Sequence, residues 1–264
     1  MPEADFGGTR TFWQAWGTGG RRAVAVHCSL AHSGAWEGVA ARLSDVLRLQ
    51  AFDLPGHGRS GDWDQGRDIM DQTVAMALGL IRDAPVDLIG HSFGAVACLR
   101  LAVERPDLVR SLVLFEPVFF AAAAADGYDT GAPFTPFAEA LAKGDWDEAA
   151  RFFTDLWGAG ERWDDLPARQ RAALAARIHL IPAANPALHD DNAGLLAPGR
   201  LERAEMPVLL LEGADSPPVI AAIAAGLARR LPDARRETIT GAGHMGPITH
   251  PEAVAGAIRR HLGR

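Results

Sequence analysis

The pentapeptide Gly90-His91-Ser92-Phe93-Gly94 constrains this chain more than any other segment. It follows Ala84-Pro85-Val86-Asp87-Leu88-Ile89, an apolar run of strand length. It precedes residues 95–103, a helix-forming run that closes before Pro106. A G-x-S-x-G set between a strand and a helix is a nucleophile elbow: the serine sits in strained backbone and its hydroxyl is lifted clear of the sheet. The flanking glycines leave room where a side chain would strike the neighbouring strand or helix. The start of the helix brings N–H groups and a positive dipole end to the same spot, where a developing oxyanion would be received. A bare G-x-S-x-G also occurs in tight turns without chemistry. The strand–turn–helix setting favours Ser92 as a nucleophile.

The rest of the chain has the rhythm such a turn requires. Residues 11–16 alternate weakly and end at Gly17-Thr18-Gly19-Gly20, where a first hairpin is expected. Short strands are expected at 23–27, 47–52, 85–89, 111–115, 207–211 and 236–240, with helices at 35–43, 69–81, 219–231 and from about 251. Strands alternating with helices predict an α/β fold whose mostly parallel sheet of about eight strands is covered on both faces. Residues 118–203 break the pattern. They contain no clear strand and read as short helices at 134–142, 146–156 and 167–180. Ligands of open α/β sheets bind at the carboxyl ends of the strands, where this insertion leaves. A core of residues 1–117 and 204–264 with a helical cap of residues 118–203 is therefore expected. The alternative is a packing subdomain away from substrate.

Composition narrows the function classes. The 264 residues are 48% hydrophobic and 22% charged, as in a globular protein with a substantial core. A formal net charge of -7 gives no electrostatic case for a nucleic-acid partner. No apolar run reaches the ~18 residues of a membrane span. Met1-Pro2-Glu3-Ala4-Asp5-Phe6 is acidic and lacks a basic-then-apolar signal pattern, so a cytoplasmic protein without a membrane partner is expected. Cys28 and Cys98 lie in apolar contexts and read as small core residues.

A serine nucleophile needs a base, and the base an orienting acid. Gly241-Ala242-Gly243-His244-Met245-Gly246 follows the last expected strand and brings His244 to the edge of the sheet that carries Ser92. None of the other histidines ends a strand in this way, and His91 points away from the serine by its place in the elbow. The same hexapeptide matches G-x-G-x-x-G, but too little chain follows for a dinucleotide site. An oxyanion hole takes the N–H of the residue after the nucleophile, Phe93, and a second N–H from His27-Cys28-Ser29-Leu30. Ser29 is the candidate there, with Leu30 one residue away as the alternative. His189-Asp190-Asp191 has one imidazole and two adjacent carboxylates, which rarely converge on one ion, so it reads as a solvated loop or helix N-terminus. No metal and no cofactor are expected.

Taken together, the chain resembles the α/β-hydrolase fold family along nearly all its length. The residues that carry the likeness are His27-Cys28-Ser29 with Trp36 downstream, Asp53-Leu54-Pro55-Gly56-His57-Gly58-Arg59-Ser60, the elbow at Ser92, and Gly243-His244 followed by His250-Pro251-Glu252. The family's early histidine is usually followed by glycine, where this chain has Cys28. Its acid usually follows G-x-x-D after the strand ending near 211. In Gly213-Ala214-Asp215-Ser216-Pro217-Pro218 that position holds Ser216, and Asp215 comes one residue early. Some members carry the acid after the preceding core strand, where this chain has Glu116. Glu116 is favoured as the acid, with Asp215 the alternative. The likeness implies metal-independent hydrolysis of a small, largely apolar ester or related acyl compound through Ser92, His244 and the acid. Among the cap aromatics, Trp146, Phe152 and Trp157 are the candidates for substrate contact, within a set that includes Phe134, Phe137, Phe153 and Trp163. The rival reactions are C–C bond hydrolysis or another acyl transfer, which inward-facing cap arginines (Arg151, Arg162, Arg169, Arg171, Arg177) would favour. The rival class is a ligand-binding or sensor protein on the same fold. Nothing in the chain specifies an oligomeric state.

Overall fold

Alternate residues of the central strands face two different helix layers. Val24 and Val26 pack into one core with Leu88, Leu112 and Leu210, whereas Ala23 and Ala25 pack into the other with Ile89, Val113 and Leu209. The period of two is what places a strand between two apolar layers. In the computed structural model, which describes residues 2–82, 84–131 and 134–263, the strands are β1 (Glu3–Phe6), β2 (Thr9–Trp16), β3 (Arg21–Val26), β4 (Leu47–Phe52), β5 (Val86–His91), β6 (Val109–Phe115), β7 (Val208–Gly213) and β8 (Ala234–Ile239). They form one sheet in the order β1-β2-β4-β3-β5-β6-β7-β8. Strands β3 to β8 run parallel, and β1 and β2 close one edge antiparallel.

Helices α1 (Glu37–Arg42), α2 (Ile69–Ile81) and α3 (Phe93–Glu104) follow β3, β4 and β5. The segment between β6 and β7 carries α4 (Phe120–Ala125), α5 (Thr135–Ala142), α6 (Trp146–Trp157), α7 (Ala168–Ala175), α8 (Leu180–Ala183) and α9 (Asn185–Leu188), with no strand among its described residues. Then come α10 (Pro218–Ala228), α11 (Gly246–Thr249) and α12 (Pro251–Leu262). The helical insertion has a core of its own, built on Phe137, Ala149, Ala150, Trp163, Leu166 and Ile178. No helix among the described residues is long and apolar enough to cross a membrane.

Three expectations about elements change. The first hairpin turns at Gly7-Gly8, both at positive φ, and joins β1 to β2. Strand β1 was not expected, and Gly17–Gly20 is no hairpin: Thr18 N–H reaches Ser44 O (2.9 Å), and β2 pairs with β4. The helix expected at 167–180 stops at Ala175 and continues as tight turns, which bring Ile178 to full burial in the insertion's core. The helix expected at 35–43 opens with a 3-10 turn over Ser33–Trp36.

Strand register sets the working edge. His91 lies opposite Phe115, and Phe115 opposite Leu211, so residues 92 and 116 stand side by side just beyond β5 and β6. The far end of the sheet is pinned by fully buried Asp87, which accepts from Arg21 (2.8 and 2.9 Å), Arg110 (3.1 Å twice) and the Ser111 hydroxyl (2.8 Å). Burial alone would raise the Asp87 pKa, but these donors hold it below its usual value. Asp87→Asn is expected to cost about 2 kcal/mol or more at neutral pH, measured by urea unfolding. A depressed folded pKa stabilises above the unfolded pKa, and that contribution is lost as pH falls through the folded value. The difference between wild type and variant should therefore shrink below about pH 4; a constant difference down to about pH 3 would refute the assignment.

Candidate active site

Ser92 is the first residue after β5 and the cap of α3, at φ 56° and ψ −120°. That left-handed region is costly for a residue with a Cβ. The conformation is held by the Ser92 N–H bond to Phe115 O (2.9 Å) and by crowding on both sides. A Cβ on Gly90 would run into the backbone of Ala95, and one on Gly94 into the Val26 carbonyl. Both glycines are therefore dictated by the close approach of α3 to β5 and β3.

Glu116 stands beside Ser92 in the sheet, also at positive φ (47°), and is fully buried. Its Oε2 lies 2.7 Å from His244 Nδ1. Its Oε1 accepts the Gly213 N–H (2.7 Å) and the Ser216 hydroxyl. Asp215 is exposed, and its N–H is bonded to Ala242 O (2.9 Å). The alternative acid therefore points to solvent, and Ser216, at the family's usual acid position, donates to the carboxylate that meets the histidine. The loop after β8 reaches Glu116 by crossing the end of β7. A Cβ on Gly213 would strike the Ala242 carbonyl and block that crossing.

His91 holds the other side of this loop. Its Nε2 lies 2.8 Å from the His244 carbonyl, which can only accept, so the Nε2 carries the proton. Burial, and then the neighbouring His244, keep its pKa well below the usual histidine value. His91 is thus a neutral clamp on the backbone of His244. Trp157 closes over the imidazole, its ring 4.6 Å from that of His244 and tilted by 64°.

Two further neutral histidines shape the loop after β3. His27 donates from Nδ1 to Cys28 O (2.7 Å) and accepts the Leu54 N–H at Nε2 (3.0 Å). His57 donates from Nδ1 to Pro55 O (2.8 Å) and accepts the Leu30 N–H at Nε2 (3.0 Å). Burial is the main cause that pushes them down to about 3 and about 4, with His57 adding to the shift of His27. Leu30 is consequently ruled out as an oxyanion donor, because its N–H is committed to His57. Ser29 lines the same cavity as Ser92, and neither Ser29 N–H nor Phe93 N–H meets an acceptor among the described residues. Cys28, where glycine is usual, is buried, and burial raises its thiol to about 12.

The cavity that holds Ser92 and His244 measures about 210 Å³. Its walls are mostly apolar: Phe120, Phe134, Phe137, Phe153, Trp157 and Ile181 contribute. Of the three residues singled out for substrate contact, only Trp157 is there. Trp146 is 48% exposed and faces an outer groove with Lys143 and His179. Phe152 packs against the insertion's own core, as does Trp163. Helical spacing explains the difference, since Phe153 and Trp157 are four apart and share a face of α6 that Phe152 does not. His189 was read as part of a solvated loop, but its ring lines the cavity. Asp191 instead spends its carboxylate on the N–H groups of Leu195 (2.7 Å) and Leu196 (2.9 Å). None of the insertion arginines Arg151, Arg162, Arg169, Arg171 and Arg177 lines this cavity.

An elbow serine, a carboxylate-bound histidine and free N–H groups on one small apolar chamber define a hydrolase site. Comparison with known proteins agrees with that class. A profile of the alpha/beta hydrolase family matches residues 23–257. A pimeloyl-[acyl-carrier protein] methyl ester esterase of Nitrosomonas europaea is 31% identical over 236 residues, spanning 87% of this chain and 90% of the relative. The protein of the same description from Methylococcus capsulatus is 30% identical over 260 residues, spanning 92% and 95%. An alpha/beta hydrolase from Sphaerobacter thermophilus superposes with a TM-score of 0.74 at 22% identity, covering 99% of this chain and all of that one. The chain belongs to the alpha/beta hydrolase family, and it is a hydrolase.

The strain at Ser92 can be measured apart from turnover. Ser92→Gly is expected to be more stable than Ser92→Ala by about 1 kcal/mol in denaturant unfolding, net of glycine's extra chain entropy. Equal stability, or a more stable alanine variant, would show that the turn stores no strain.

Proposed function

We propose that this chain is a serine ester hydrolase in which Ser92, His244 and Glu116 act as the triad. The observation that carries the reading is the 2.7 Å contact between Glu116 and His244 Nδ1, beside an elbow serine in the same cavity. With its Nδ1 proton held by Glu116, His244 presents Nε2 as a base to the Ser92 hydroxyl. Ser92 Oγ attacks the ester carbonyl. The oxyanion is received by the N–H groups of Phe93 and Ser29, each oxyanion donor being worth about 10²–10³ in kcat. His244 then protonates the departing alcohol. A water molecule, deprotonated by His244, releases the acid from Ser92 and restores the enzyme.

The insertion serves in this reading as a cap. Its residues Phe134, Phe137, Phe153 and Trp157 enclose the substrate and exclude water, which strengthens each charge interaction below them. The apolar lining favours a small acyl chain. The curated relatives, described as methyl ester esterases, make acyl methyl esters a natural first substrate class. No arginine lines the described cavity to anchor the carboxylate of a dioxo acid, and Arg177 lies in the adjoining groove instead, so the ester reading is favoured over C–C bond hydrolysis.

Ser92→Ala and His244→Ala are each expected to remove essentially all turnover of short p-nitrophenyl esters, with a double variant little worse than either. A folded single variant keeping about a tenth of wild-type kcat would overturn the triad. Glu116→Gln should lower kcat by more than about 10²-fold, while Asp215→Asn stays within about tenfold of wild type. The reverse pattern would return the role to Asp215. Truncating Phe134 or Phe153 should change the preferred acyl length, whereas Trp146→Ala should not. An unchanged ranking of kcat/KM across the ester series in all three would make the aromatic lining mere packing.

A further inference from the structure

Among the described residues, His189 is the one imidazole lining the cavity that the proposed triad does not use. It sits at the end of α9, its N–H bonded to Asn185 O (2.8 Å), and the Asp191 carboxylate braces the turn that follows. Its ring stacks on Phe120 at 4.5 Å and 19°, and Phe134 meets it edge-on at 6.1 Å. The ring is half-buried, and burial lowers its pKa, which favours the neutral imidazole. Neither ring nitrogen has a hydrogen-bond partner among the described residues. A neutral imidazole offers one donor and one acceptor, and a ring that lines the cavity with neither spent on the protein can offer them to a ligand there.

Which arm of an ester fills it follows from the chemistry. The alcohol leaves first, while the acyl group stays bonded to Ser92 until water arrives, so the acyl arm is the one that needs enclosure. A second, more open groove of about 810 Å³ shares Ser29, Phe153 and Trp157 with the cavity. It is open space next to the cavity in which a leaving alcohol would fit.

We propose, building on the ester-hydrolase reading, that His189 determines acyl specificity by hydrogen-bonding an oxygen function carried along the acyl chain. The substrate class is then an ester of an oxo-, hydroxy- or alkoxy-acyl acid rather than of a plain fatty acid. A site built to hydrogen-bond a substrate group discriminates against an analogue that leaves its polar atoms unpaired, whereas an apolar wall discriminates little between them.

The test uses p-nitrophenyl esters of straight-chain oxo acids, with the ketone moved one carbon at a time, each paired with the plain acyl ester of equal length. In wild type, one ketone position is expected to exceed its plain partner in kcat/KM by about tenfold or more. In His189→Phe that ratio should collapse to about one, and His189→Gln, which keeps a donor and an acceptor, should recover part of it. The ratio within each enzyme is the readout, so a general loss of stability does not mimic the effect. No oxo preference at any position in an active wild type, or a preference that survives His189→Phe, overturns the inference and leaves the hydrolase reading standing. Failure of every ester together with failure of a fluorophosphonate to label Ser92 overturns both.

Discussion

A single buried carboxylate ties together the working edge of this molecule. Glu116 accepts from the end of β7 through Gly213 N–H, from the following turn through Ser216, and from the loop after β8 through His244. A fully buried carboxylate is tolerated only when its oxygens are satisfied, and removing a partner leaves a charge in a poor medium. The same bonds that make the group affordable therefore fix the relative position of three chain segments. The register of β5 and β6 then sets Ser92 beside it. The geometry of the site is in this sense a by-product of solving a burial problem.

Around that hub the protein uses imidazoles as neutral struts. His27, His57 and His91 each place both or one of their ring nitrogens on main-chain groups, and each is held neutral mainly by burial. The loops at the carboxyl ends of β3, β4 and β8 cannot pair in a ladder, so their N–H and C=O groups need side-chain partners. A ring with one donor and one acceptor meets that need at two points at once. His57 has a chemical consequence as well: it takes the Leu30 N–H, whereas the N–H of Ser29, which lines the cavity, meets no acceptor among the described residues.

Much of the sheet, the elbow and the place of His244 at the sheet's working edge are legible in the sequence because each is written locally. Strand runs such as residues 47–52, the G-x-S-x-G with its flanking strand and helix, and a histidine ending the last strand all need only short-range pattern. What stayed open depends on contacts between distant segments. Which of Glu116 and Asp215 meets His244 depends on the path of the β8 loop over Gly213, a contact between segments far apart in the chain. Strand β1 is four residues with weak alternation, too short to announce itself. Residue type does not tell which face of α6 an aromatic occupies, and Trp146 and Phe152 lie on faces turned away from the cavity. His189 was hidden by its acidic neighbours, which gave the tripeptide the look of solvated loop.

Ser216 has a consequence for how such a site can change over generations. It occupies the family's usual acid position and donates to Glu116, the carboxylate that meets His244. A chain with aspartate at 216 and glutamate at 116 would have two carboxyl groups competing for one imidazole. Like charges at that distance raise one pKa strongly, so one group would keep its proton and donate it to the other, much as the Ser216 hydroxyl does now. The doubly acidic form is therefore a passable halfway house, whereas a form with neither acid is not. The Ser216 hydroxyl thus does for Glu116 what a protonated second carboxyl group would do.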